Sequence, residues 1–175
     1  MTSKLKTDVL ETVSGSGTIA LTNQLSGMTS ASMPSGTVLQ IVTAEIGTTL
    51  TMTSTSLADT PFTVTITPTA TNSKIIVVAS GNWGSQNDGR HGLEMQSNSS
   101  GSFVTLGSTA SIAAYAQWNK VYSASMQSLT AIETNVGTTN AVTYKMRGRV
   151  ITAGANLFVP LTHQYASIIA YEIAG

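Results

Sequence analysis

The chain has 175 residues, of which 9 % are charged, with eight Lys and Arg balancing eight Asp and Glu. That length allows one core, or one core plus an appendage, and the zero net charge gives no electrostatic reason to bind nucleic acid or an anionic membrane. There is no cysteine, which excludes a disulfide framework and a thiolate metal centre; 50 Ser and Thr carry solubility in place of charge.

Residues 1–36 contain no Phe, Trp or Tyr. Met1 to Lys6 is followed by no apolar h-region, so synthesis in a cytoplasm without signal-peptide export is expected. No stretch approaches ~20 apolar residues, so no membrane insertion is expected. Leu5, Val9 and Val13 share a helical face, but Thr and Val favour extended chain, and extended is the reading taken. Residues 14–17 are a turn, residues 18–22 alternate as a short strand, and residues 23–36 form a linker broken by Gly27, Pro34 and Gly36. So short a segment cannot bury Leu5, Val9, Leu10, Ile19 and Leu21 internally. These five are the candidate attachment and oligomerisation residues of a stalk or anchoring arm.

Residues 37–175 read almost wholly as strand. Residues 38–44 and 48–54 are strands. Phe62, Val64 and Ile66 alternate with Thr63, Thr65 and Thr67, a half-buried strand closed by Pro68. Residues 74–80 are a continuous apolar run that crosses the middle of a sandwich. Residues 82–91 read as a polar, Gly-rich loop, 92–96 as a strand and 98–101 as a turn before 103–106. Residues 107–120 fit a helical turn or a long surface loop. Residues 121–126 and 128–134 read as two strands tightly joined. Val142, Tyr144 and Met146 alternate with Thr143, Lys145 and Arg147, and 157–159 and 167–173 complete the series. Short strands with turn signals every 8–12 residues and no helix-period segment predict an all-β fold: an antiparallel sandwich or jelly-roll head over 37–175, behind a 1–36 arm.

Three stretches resemble predicted virion proteins of marine tailed bacteriophages: Lys4 to Leu21, Gly36 to Val42, and Phe62 to Gly81. The resemblance implies a virion structural subunit, located in the virion and trimeric. It suggests a head like the tumour-necrosis-factor and C1q jelly rolls, with residues 167–173 at the core. It supplies no functional residue.

The residues themselves offer weak chemistry. Two histidines and no G-x-S-x-G elbow make a nucleophilic triad unsupported, and His91 and His163 are expected at a surface or interface. Asp88, His91 and Glu94 offer metal-ligand types at close spacing, but match no established loop and read better as a polar turn. Glu94, Glu133 and Glu172 all fall on predicted strands, where a glycosidic carboxylate pair would need two acids in one cleft. Lys145, Arg147 and Arg149 share one strand face, read as solvated in preference to a phosphate or acidic-protein site. Trp83 and Trp118, with Tyr115 and Tyr122, fit stacking on sugar, an anchored interface, or caps on the sandwich ends. The expectation is no enzyme, no metal and no cofactor. Binding is expected through Trp83, Asp88, Arg90, His91, Tyr115, Trp118 and Tyr122. The expected partners are sister chains in a homotrimer, other virion proteins, and a host-surface glycan or protein. Two functions fit: a tail fibre or spike subunit that touches the host, or a decoration protein that stabilises the capsid shell.

Overall fold

Period-two alternation makes strands wherever the chain is described, in a computed structural model that covers residues 33–86, 89–107, 114–118, 122–160 and 166–175. The elements are β1 (Val38–Ile46), β2 (Leu50–Met52), β3 (Ala58–Ile66), β4 (Lys74–Gln86), β5 (Gly89–Ser97), β6 (Val104–Thr105), β7 (Ala114–Trp118), β8 (Tyr122–Glu133), β9 (Val142–Val150), β10 (Asn156–Val159) and β11 (Ala166–Ile173). Among the described residues there is no helix.

Two antiparallel sheets form. In the first, β11 pairs with residues 74–80 of β4 and β10 with residues 84–86. β8 runs along the other edge of β4 from Ile75 to Gln86. β1 flanks β11, and β2 flanks β10. The second sheet has the order β3-β9-β5-β6, with β7 also on β5. The chain crosses repeatedly between sheets: β1, β4, β8 and β11 lie in one, β3, β5, β7 and β9 in the other. That is the connectivity of a jelly-roll sandwich, as expected from the strand pattern.

The core lies between the sheets. Phe62, Val64 and Ile66 of β3, Ile75, Val77 and Trp83 of β4, Met95 of β5, Tyr144 and Met146 of β9 and Ile168 of β11 are buried. Phe62 meets Trp83 edge to face, with centroids 6.1 Å apart and planes at 89°. Such a pair adds about 0.5–1.5 kcal/mol beyond area burial.

Several expectations need correction. Residues 82–91 are not a loop: β4 continues to Gln86, and β5 resumes at Gly89. Gly81, just before that stretch, answers crowding within the strand. A Cβ on Gly81 would lie 2.6 Å from the Ala166 Cβ. The two strands read within 121–134 are one strand, β8. Residues 114–118 are extended, so the helical reading of that stretch fails there. The strand read at 48–54 shortens to Leu50–Met52. The stalk residues Leu5, Val9, Leu10, Ile19 and Leu21 lie outside the described residues.

Crowding at Gly81 gives a prediction. Gly81→Ala is expected to lower stability by about 1–3 kcal/mol through overpacking against Ala166. Gly47→Ala, where a Cβ meets nothing within 4 Å, is expected to stay within about 0.5 kcal/mol. Urea unfolding of both variants checks this; equal effects at the two positions would refute the crowding account.

Candidate binding surface

The strands give the molecule two distinct ends. At one, the base, β1 begins at Val38 opposite Ile173. Gly36 N–H donates to the Ala174 carbonyl, and Ala174 N–H to the Thr37 carbonyl. The chain therefore enters from Met33 and finishes at Gly175 on the same side. At the other end, the top, β4 reaches Gln86, β5 begins at Gly89, β7 finishes at Trp118 and β8 starts at Tyr122. β4 has 13 residues, so the ends lie roughly 40 Å apart at ~3.3 Å per residue.

The top gathers four of the residues expected to bind. Gly89 opposes Trp118, Arg90 opposes Gln117 and Gly92 opposes Tyr115. Gln86 opposes Tyr122 across the β4–β8 ladder. Backbone register thus brings Arg90, Tyr115, Trp118 and Tyr122 to two neighbouring turns. Arg90 is exposed. Its backbone N–H donates to Thr152 Oγ1 at 3.3 Å, and its carbonyl accepts from Ile151 N–H at 2.6 Å. The β9–β10 connection is thereby tied to the same end. Asp88, and with it the tip of the β4–β5 turn, lies outside the described residues, as does His163.

Two other candidates sit elsewhere. Trp83 and His91 are each 1 % exposed. Both face the core, so neither can touch an external ligand, and the expectation of a surface histidine at 91 is corrected. Parity along β5 could have shown this: His91 shares a face with Leu93 and Met95. Burial pushes the His91 imidazole below its ordinary value, with a hydrogen bond that it donates to the Asn156 backbone carbonyl partly opposing. Glu94 stands three residues on and so faces the opposite side of the strand. His91 and Glu94 therefore cannot share an ion, and no cluster of three metal-ligating side chains occurs among the described residues.

The three acids on strands hold structure together. Glu172 is fully buried on the core side of β11. It accepts hydrogen bonds from Gln40 Nε2 at 2.6 Å, Ser73 Oγ at 2.6 Å, Thr69 N–H at 2.7 Å and Thr69 Oγ1 at 2.8 Å. None of these donors is charged. Burial pushes the carboxyl up, but the hydrogen bonds from Ser73, Gln40 and Thr69 outweigh it and hold Glu172 below the ordinary carboxylate range. Glu133 accepts from Tyr144 Oη at 2.5 Å, Ser97 Oγ at 3.1 Å and Ser99 Oγ. Burial, then the bond to Glu133 and its charge, push the Tyr144 phenol far up. Glu172 and Glu133 flank Ile75 in register, two strand spacings or roughly 10 Å apart at Cα. Each is occupied in tying loops to the base, and Glu172 has no exposure to a substrate.

Glu94 lies on the outer face of the second sheet, where it accepts from Gln96 Nε2 at 2.9 Å, Thr105 Oγ1 at 3.1 Å and Arg147 Nη1 at 3.3 Å. Arg147 and Lys145 also pair with Asp59, at 3.1 and 2.9 Å. Lys145 Nζ stands 4.0 Å above the Phe103 ring. The basic stripe is thus an internal charge network for Lys145 and Arg147, in place of the solvated face expected. These carboxylate hubs were invisible in sequence, because their donors come from segments as far as 132 residues away.

No known protein-family model matches the chain, and no curated protein is detectably similar to it.

The buried acid and histidine dictate a pH dependence. Both folded-state values lie below the unfolded ones, so each contributes stability that is complete above the unfolded value and lost on acidification. Stability is expected to fall first as pH drops below about 6.5, through His91, and again below about 4.3, through Glu172. Glu172→Gln is expected to lose roughly 2–3 kcal/mol at pH 7, where a hydrogen-bonded carboxylate becomes a neutral amide. The gap from the parent protein narrows at pH 3. A gap of the same size at both pH values would show that Glu172 is not ionised in the fold.

Proposed function

We propose that this chain is a trimeric structural subunit of a phage virion, attached through its N-terminal segment and presenting the top of the sandwich to a host surface. The observation that carries the reading is the polarity of the fold. The chain enters at the base, and Arg90 with the turns beside Trp118 and Tyr122 stands roughly 40 Å away. A molecule whose chain enters at one end, with exposed Arg90 and the backbone of Trp118 and Tyr122 at the other, is built as a spacer with a tip. The order β1-β11-β4-β8 facing β3-β9-β5-β7 supports the likeness to tumour-necrosis-factor and C1q heads, with β11 central in its sheet. The mechanism is non-covalent contact, weak at each site and raised by copy number. Glu94, Glu133 and Glu172, each engaged by its own donors, favour a binding module over a hydrolase.

The test is location and binding together. Antibody labelling of intact particles is expected to place the chain on a tail fibre or spike; labelling confined to the capsid shell would replace host contact with shell decoration. Deleting residues 2–36 is expected to leave a folded, soluble head that no longer enters particles. Trp118→Ala combined with Arg90→Ala is expected to weaken attachment of the purified head to host cells at least tenfold, with an unchanged melting temperature. Attachment at the parental level would remove the top as the contact surface.

A further inference from the structure

Lys145, Arg147 and Arg149 occupy alternate positions of β9, so all three side chains leave the outer face of the second sheet. Their partners differ. Lys145 stands 2.9 Å from Asp59, and Arg147 reaches Asp59 at 3.1 Å and Glu94 at 3.3 Å. Both acids are thereby engaged. Arg149 pairs with no acid among the described residues, and its Nε is buried with no hydrogen-bond partner. A charged donor withdrawn from water without an acceptor is costly, and an acceptor from outside the chain would relieve that cost.

The strands bring a second arginine to it. Gly92 opposes Arg149 across the β5–β9 ladder. Ile151 N–H donates to the Arg90 carbonyl, so Arg90 opposes Ile151. Arg90 shares the outward parity of Glu94 and is exposed. It is therefore the diagonal neighbour of Arg149, roughly 7 Å away across the two strands. On the other edge of β5, Tyr115 opposes Gly92 and Gln117 opposes Arg90. Gly92 puts no side chain between Arg149 and position 115. This corner of the sheet holds two guanidinium groups, beside positions that carry an aromatic residue and an amide.

We propose that this corner, Arg90 and Arg149 with positions 115 and 117 beside them, binds the carboxylate or phosphate of an acidic saccharide, an inference that rests on the host-contact reading above and names its class of ligand. A guanidinium is a planar fork that meets either anion with two parallel hydrogen bonds. Two arginine side chains have the length to close the ~7 Å between them on one such group. Two charges fall short of the about 6–10 phosphate contacts of a strong nucleic-acid binder. With zero net charge the chain exerts no long-range pull on a polyanion, so recognition is local. A ring with a polar tip at 115 and an amide at 117 suit the faces and hydroxyls of a sugar better than the side chains of an acidic peptide.

Isothermal titration calorimetry of the full chain at low salt tests this. The probes are an oligosaccharide of glucuronic acid, a glucose phosphate, a neutral oligosaccharide of glucose and an oligoglutamate peptide. One of the first two is expected to bind about tenfold more tightly than the neutral sugar, and which one does so distinguishes carboxylate from phosphate. Arg149→Gln and Arg90→Gln are each expected to weaken that binding about tenfold with an unchanged melting temperature. Lys74→Gln removes the same charge from an exposed side chain at the base and is expected to bind like the parent. Should Arg149→Gln misfold, Arg90→Gln, at an exposed side chain, decides alone. No binding, equal affinity for the neutral sugar, oligoglutamate bound as tightly as the acidic sugars, or folded arginine variants at parental affinity would overturn the site. Attachment to host cells with any of these results leaves host contact standing without it. Selective binding of the acidic saccharide by a chain that does not attach to host cells would overturn host contact and leave the site.

Discussion

The first sheet, the one that contains β4, is held together by the backbone of that one strand. β4 gives one edge to β11 and β10 in turn and the other to the whole of β8. No other strand touches so much of the fold. Its inward side chains Ile75, Val77, Ala79 and Trp83 are buried in the core, and its outward Ile76 and Val78 lie between β11 and β8 on the outer face. A strand used on both edges and both faces is restricted on every side. That is why it needs glycine at 81, where Ala166 leaves no room for a Cβ. The same strand sets the distance between base and top, so the rigidity of the spacer and the filling of the core are one requirement.

The base is where polar groups are buried. Glu172 and Glu133 flank Ile75 and draw in Gln40, Thr69, Ser73, Ser97, Ser99 and Tyr144. Ionised carboxylates in such a place cost several kcal/mol each in lost hydration, and are tolerated only when hydrogen bonds replace the water. Here the donors are neutral hydroxyls, amides and backbone N–H groups from five separate connections and strands. The arrangement therefore works as a set of clasps: each acid fixes loops that hydrophobic packing alone leaves unspecified. A base so clasped is a firm mount for whatever arm the chain carries there.

Alternation made the sandwich legible in sequence. Phe62, Val64 and Ile66, and Val142, Tyr144 and Met146, face the core as their spacing implies. Legibility failed where a strand's composition answered a tertiary demand. Gly81 is small because Ala166 presses on the strand, yet it leads into a run of small polar residues that looks like a loop. In β8, exposed Met126 beside half-buried Gln127 reverses the polarity rule and split one strand into two. His91 was misplaced by the same loop reading, although its parity with Leu93 and Met95 pointed inward. The top cluster was only half legible. Trp118 and Tyr122 sit close in sequence, but their meeting with Arg90 depends on the β5–β7 and β4–β8 ladders together.

The contrast between the outer faces explains how so few charges suffice. Sixteen charged residues would thinly cover two solvent-facing sheets. The chain concentrates Asp59, Glu94, Lys145 and Arg147 on one sheet and leaves the other mostly to Ile, Val, Tyr, Thr and Ser. The ion-pair network on the outer face of the second sheet satisfies Glu94 and Asp59 internally through Lys145 and Arg147. Arg90 stands exposed at one end, and the clasped base closes the other. Each surface of the sandwich then has a different demand to meet, and its residue types match that demand.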